Sequence, residues 1–246
     1  MLKLIHIEFL KLRRQKQLGF SLFGSILMPF LAMLYFKYLG TPNVEPILFY
    51  KWALLGLTCW VILPFIWGIL SVLLMYNEQH FHIRRQLWFA SVGKLNYFLS
   101  KFFTLFIYSF IFILLSCIWT LTFASFSQNV TLTMPSILWL IKKWIEISIL
   151  LPLAMLPILT AATFGKGYIL PICLNLIYIF SGFVMASQTP EIHPLSSLFV
   201  ILNRNGDIPG VLAPASGTLF SAICCLLLWD LTAMLLALFS LKKDSK

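Results

Sequence analysis

Six long runs of apolar side chains leave this chain few folds to choose from. A membrane-crossing helix needs about 20 apolar residues. Runs of that order lie at about 18–39, 49–75, 102–126, 138–164, 168–187 and 218–241. Hydrocarbon offers no partners to backbone N–H and C=O groups, so a spanning segment must satisfy them internally. Continuous rather than alternating apolar runs of this length read as helices. The expected fold class is therefore all-α, a polytopic membrane protein with six transmembrane helices. Composition agrees: 60% of the residues are hydrophobic and 11% charged, against about 45–50% and about 25% in soluble domains. No block of mixed composition is long enough for a separate soluble domain, which takes roughly 50 residues. Residues 1–246 are read as a single transmembrane domain. The formal charge of +10 sits at the ends of the apolar runs, which suits a membrane surface rather than nucleic acid.

The polar stretch at 76–101 interrupts this pattern most strongly. It carries Glu78, His80, His82, Arg84, Arg85, Lys94 and Lys101 and reads as a water-facing loop between the second and third spans. A helix within this loop would not be cleanly amphipathic. Its apolar residues do not form one stripe: Phe81 and Trp88 share a face, Ile83 and Leu87 another, and Phe89 a third. A helix lying in the headgroup layer is one reading. A helix held on two sides, by its own spans and by a partner, is the other, and apolar residues on several faces favour it. At the start, residues 1–17 are basic and partly periodic, with Leu2, Ile5, Phe9 and Leu12 on one face. That pattern suits a helix in the lipid interface. No Ala-x-Ala site follows it, which disfavours a secretory leader.

Six spans place both termini on one side. Lys3, Lys11, Arg13, Arg14, Lys16, Arg84, Arg85, Lys94, Lys101, Lys166, Lys242, Lys243 and Lys246 belong to that side. Lys37, Lys51, Lys142, Lys143 and Arg204 belong to the other, so the termini and the 76–101 loop are expected in the cytoplasm of a plasma-membrane protein. Lys142 and Lys143 are the dissent, and a short interfacial helix before the fourth span would accommodate them. Pro29 is expected to kink the first span, and Pro64, Pro152 and Pro157 fall inside later ones. Gly165-Lys166-Gly167 makes spans four and five antiparallel neighbours. In the long loop before span six, Leu195–Leu202 reads as a short helix dipping into the interface.

Catalytic patterns are missing from the sequence. Gly93-Lys94 and Gly165-Lys166-Gly167 both lack the spacing of a phosphate-binding P-loop, so ATP hydrolysis is expected in a separate subunit. The four histidines form no zinc motif, and His80 and His82 point to different helix faces. No nucleophile elbow is present. The five cysteines lie in apolar runs and read as buried small side chains. No directly bound cofactor or metal is expected. Asp230 stands near the middle of the sixth span, where a carboxylate costs about 2.5–3.5 kcal/mol on insertion scales. It should face protein or water, either as a contact for a cationic substrate or proton or as a structural hydrogen-bonding group. Glu146 is expected to pair locally with Lys143.

The acidic Glu78 after the second span, the following helix, Ser91-Val92-Gly93-Lys94 and the aromatic-rich entry to the third span ending in Lys101 resemble the type-2 ABC exporter permeases. The opening Met-Leu-Lys-Leu-Ile-His-Ile-Glu-Phe-Leu-Lys-Leu-Arg-Arg is similar to the amphipathic start of the same class. Size and both signatures look most like the permeases of lantibiotic-immunity and bacitracin-resistance exporters, although many of these carry a Pro-Val-Ser-Arg-like turn in place of Ser91–Lys94. The resemblance implies two permeases, identical or related, with two ABC ATPase subunits that consume ATP. The loop helix, which the resemblance places over about Gln79–Ala90, would couple to the ATPase through Glu78, Phe81, Arg84, Arg85, Leu87 and Trp88. It implies a cationic or amphipathic antimicrobial peptide as cargo. From the residues alone, an ion-coupled carrier using Asp230 and a non-transporting scaffold or sensor remain alternatives.

Overall fold

The computed structural model describes residues 2–13, 16–39, 44–81, 83–89, 92–127, 130–165, 167–209 and 218–243. Every extended element among them is a helix, and six candidate spans are long and apolar enough to cross a membrane. The N-terminal helix α1 covers Leu2–Arg13. The first span combines α2 (Lys16–Leu22) and α3 (Gly24–Tyr38). The helix is interrupted at Phe23, not at Pro29, which lies within α3.

The second span runs from Pro46 to His80. It starts as α4 (Pro46–Tyr50), passes through two π-helical turns at Lys51–Leu55 and Thr58–Ile62, and continues as α5 (Leu63–His80). The hydroxyl of Thr58 donates to the Ala53 carbonyl, five residues back, at 3.3 Å. Pro64 follows the second π turn in the first turn of α5, and the N–H it lacks falls where the wider π turn gives way to α-helix. A seven-residue helix, α6 (Ile83–Phe89), then leads to the third span, α7 (Lys94–Ser127). The fourth span is α8 (Met134–Ala154) followed by α9 (Leu156–Phe164), broken at Met155 between Pro152 and Pro157. Beyond them lie α10 (Ile169–Gln188), α11 (Pro194–Leu202) and α12 (Leu219–Lys243).

Three sequence expectations need correction. The polar stretch at 76–101 is mostly helix belonging to the spans: α5 continues through Glu78 to His80, and α7 already begins at Lys94. Only 81–93 connects them. Charged residues were expected to end the spans, but Glu78 and Lys101 pair with one another and so tolerate burial. Second, Lys142 and Lys143 lie within α8, not in a separate interfacial helix. Third, α11 does not lie open on the outside of the bundle: every one of its residues is buried within the protein. It packs against α8, α10 and α12.

The core joins residues from all six spans and α11, including Ala32, Trp67, Phe98, Ile147, Ile179, Leu198 and Leu226. Close approach is visible where α5 meets α10. A Cβ on Gly68 would lie 2.1 Å from the amide carbon of Asn175, so a larger residue there would have to displace the Asn175 side chain. The Asn175 amide donates to the Phe65 carbonyl at 3.4 Å.

Candidate functional site

Three helices converge on one buried lysine. Lys101, in the second turn of α7, has a side chain only 1% exposed. Its ammonium lies 2.6 Å from Glu8 Oε2 on α1 and 2.6 Å from Glu78 Oε1 near the end of α5. Lys11, one helical turn after Glu8, pairs with the same two acids at 2.9 and 2.5 Å. Two ammoniums and two carboxylates thus neutralise each other. A buried charge is tolerable only with such partners. Burial opposes the charge on Lys11, but Glu78 and Glu8 outweigh it and raise its pKa above the ordinary lysine value.

The sequence reading singled out Glu78 and Lys101 but missed Glu8. Its signal was present: Glu8 is three residues after Ile5 and four before Leu12, on the face read as apolar. In the structure Glu8 and Leu12 are buried, whereas Ile7 and Leu10 are exposed.

Tyr97, one turn before Lys101, carries α6. The Trp88 ring meets Tyr97 edge-on at 5.4 Å. The Arg84 guanidinium lies 5.9 Å from the same ring and the Lys101 ammonium 5.3 Å from it. The Gln79 amide, in the orientation that satisfies both of its ends, accepts from Arg84 Nη1 at 2.7 Å and donates to the Gly165 carbonyl at 2.6 Å.

Of the residues expected to meet a partner, Glu78 and Arg84 are buried, and Leu87 and Trp88 pack half-buried on the protein's own core. They hold α6 to its platform rather than standing free. Phe81 remains exposed at 64%, and Phe89, not among the expected anchors, is 92% exposed. The Arg85 side chain and residues 82, 90 and 91 lie outside the described residues. Among the described residues of this connection, Phe81, Gln86, Phe89 and Gly93 are exposed.

A second charge network occupies the opposite end of the bundle. Lys143, 2% exposed, lies 2.9 Å from Asp207 Oδ2 and 3.2 Å from Glu146 Oε2. Its ammonium also donates to the Leu202 carbonyl at 3.2 Å, where a cation favours the C-terminus of α11. Lys51 reaches Asp207 Oδ1 at 3.1 Å, and Arg204 pairs with Glu146. The expected Lys143–Glu146 pair is thus one edge of a larger network. Burial works against ionised Asp207, but Lys143 and Lys51 outweigh it and hold its pKa below the usual value. No sequence spacing pointed to Asp207.

Asp230 is half-buried on α12, on the face that also buries Leu226, Ala233 and Ala237. Its Oδ1 has no hydrogen-bond partner. Among the described residues, no group of three or more His, Cys, Asp and Glu is placed to share a metal ion.

This is the architecture of a multi-pass membrane transport subunit: a helical bundle whose polar groups fasten elements together, with a short apolar-tipped helix at one end. The chain belongs to the ABC-2 family transporter proteins, whose family model matches residues 4–182. The matched region takes in most of α1, all of α6 and the whole Lys101 node. Neither a curated protein nor a solved structure matches the chain. Family membership makes it a permease subunit of an ABC transporter in the plasma membrane, working with an ABC ATPase subunit.

Proposed function

We propose that this permease is driven by its ATPase through α6 and exports cationic or amphipathic antimicrobial peptides from the membrane, giving immunity or resistance to the cell. ATP is bound and consumed by the partner subunit. A second permease, identical or related, completes the transport path, and the termini and α6 face the cytoplasm. The observation that carries the ATPase contact is the division of the 81–89 segment, α6 and the residue that ends α5, into two surfaces. Trp88 and Arg84 meet Tyr97, while Phe81 and Phe89 project outward. Partner helices in grooves are held mainly by a few such anchors. The peptide cargo is supported by the sequence resemblance to lantibiotic-immunity and bacitracin-resistance permeases.

Phe81→Ala with Phe89→Ala tests the contact. Permease abundance should be retained, while the ATPase recovered by pull-down falls at least several-fold. Undiminished association would rule this surface out. The cargo is tested separately with nisin and bacitracin: cells expressing the permease and ATPase should tolerate more peptide than cells with an ATP-hydrolysis-deficient ATPase. Equal tolerance would remove these peptides as cargo. Asp230, with its unpartnered oxygen, is the residue within the bundle best suited to contact a cationic group. Asp230→Asn should insert normally and lower peptide tolerance.

A further inference from the structure

We infer that Lys101 is a positioning residue for ATP-driven transport. By holding Glu8 and Glu78 together, it makes α1, the α5–α6 connection and the start of α7 move as one body. The inference rests on reading α6 as the place where the ATPase acts, and deepens that reading by stating where the motion goes.

The geometry is specific. Glu8 and Lys101 are 93 positions apart in the chain, yet form a 2.6 Å hydrogen bond. Glu78 lies in the last turn of α5, just before α6. Lys101 contacts both acids, and Lys11 also contacts both. Each carboxylate is therefore held from two helices: Glu78 by α1 and α7, and Glu8 by α7 in addition to its own helix. The packing of α6 reaches the same place, because Trp88 and Arg84 lie against Tyr97, whose ring is 5.3 Å from the Lys101 ammonium.

Sliding α1 past α7 would strip a buried ammonium of its carboxylate. Solvent could not screen the loss, since the Lys101 side chain is 1% exposed and those of Glu8 and Glu78 are 6% and 3% exposed. Moving the elements together keeps every pair intact. Because α1 leads into the first span, a push on α6 would reach that span through the ion pairs, whereas its own backbone joins α6 to the second and third spans.

Pulsed electron paramagnetic resonance tests the inference without requiring the cargo. Nitroxides are placed at Ile7→Cys on α1 and Gln86→Cys on α6, both exposed, with the native cysteines replaced. The permease–ATPase complex in lipid nanodiscs is compared without nucleotide and with vanadate-trapped ATP. With the network intact, one separation should persist in both states, within about a third of a helical turn or ~2 Å. In Lys101→Met, and in the milder Glu8→Gln, the distribution should broaden or split on trapping, while Lys101→Arg keeps it single.

Two results would overturn the inference: a shift of a full turn, about 5.4 Å, with the network intact, or a single unchanged separation in both Lys101→Met and Glu8→Gln. Should Lys101→Met fail to accumulate, Glu8→Gln decides. The pull-down with Phe81→Ala and Phe89→Ala separates the two ideas. Its failure removes the ATPase contact at α6, whereas the α1–α6 separation judges the Lys101 linkage by itself.

Discussion

Lys101 shows how the same charge can be harmless in one setting and costly in another. Its ammonium is buried, but Glu8 and Glu78 supply two short ion pairs. Removing one partner of a buried pair leaves the other charge stranded, at a cost of about 3–5 kcal/mol. Lys101→Met should therefore lower the thermal stability of the purified permease strongly, measured as loss of the monodisperse peak after heating in detergent. Lys101→Arg should lower it much less, because it retains the charge and donors. A wild-type melting profile for Lys101→Met would show that the network contributes little. Only part of this node was legible beforehand. Glu78 and Lys101 were visible as charges beside apolar runs, but a charge by itself argues against burial, so both were assigned to a loop. Their pairing across α5 and α7, and the role of Glu8, depend on tertiary contacts that local hydropathy does not contain.

At the scale of elements, α6 and α11 repay different measurements. Trp88 packs against Tyr97, whereas Phe89 is almost fully exposed. Trp88→Ala should destabilise the permease by about 1–3 kcal/mol, while the surface change Phe89→Ala should stay within about 0.5 kcal/mol. Thermal melting distinguishes them, and equal effects would contradict the division of α6 into inner and outer surfaces. Apolar residues on several faces favoured a helix held on two sides; the protein itself covers Trp88 and Arg84 and leaves Phe89 exposed, a division that periodicity did not state. The burial of α11 was underestimated because its apolar sequence fits an interfacial helix as well as an inserted one; its fastenings come from elsewhere in the chain. At its start, His193 Nδ1 accepts the Leu195 N–H at 3.2 Å, Nε2 lies 3.3 Å from Ser181 Oγ, and the ring packs on Tyr178. Burial lowers the His193 pKa to about 4, below the unfolded value of about 6.5. Its neutral form is therefore favoured in the fold. The associated stability is fully present above about pH 6.5 and is lost as pH falls towards 4. Amide exchange over 194–202, corrected for intrinsic rates, should show protection falling across that window, with a flatter profile in His193→Gln. Identical profiles would exclude His193 as the cause.

For the whole molecule, six spans and termini at one end were legible because membrane insertion depends on local apolar length, which a sequence states directly. The breaks at Phe23 and Met155 and the two π-helical turns were less legible, since they depend on how neighbouring helices accept local irregularity. Charge placement also supplies the final prediction. At the end opposite the termini, Lys51, Lys143 and Arg204 are engaged with Asp207 and Glu146. Lys37 and Lys142 stand outside that network. At the terminal end, Lys11 and Lys101 are engaged with Glu8 and Glu78, but many further lysines and arginines remain in the surrounding sequence. Orientation follows the excess of lysine and arginine near span ends and is little affected by acidic residues. Pairing therefore leaves the asymmetry in place, and the terminal end should be cytoplasmic. In a cysteine-free background, Thr131→Cys should react with a membrane-impermeant maleimide added to intact cells, whereas Gln86→Cys should react only after permeabilisation. The reverse pattern would invert the permease and place α6 on the wrong side of the membrane for a cytoplasmic ATPase.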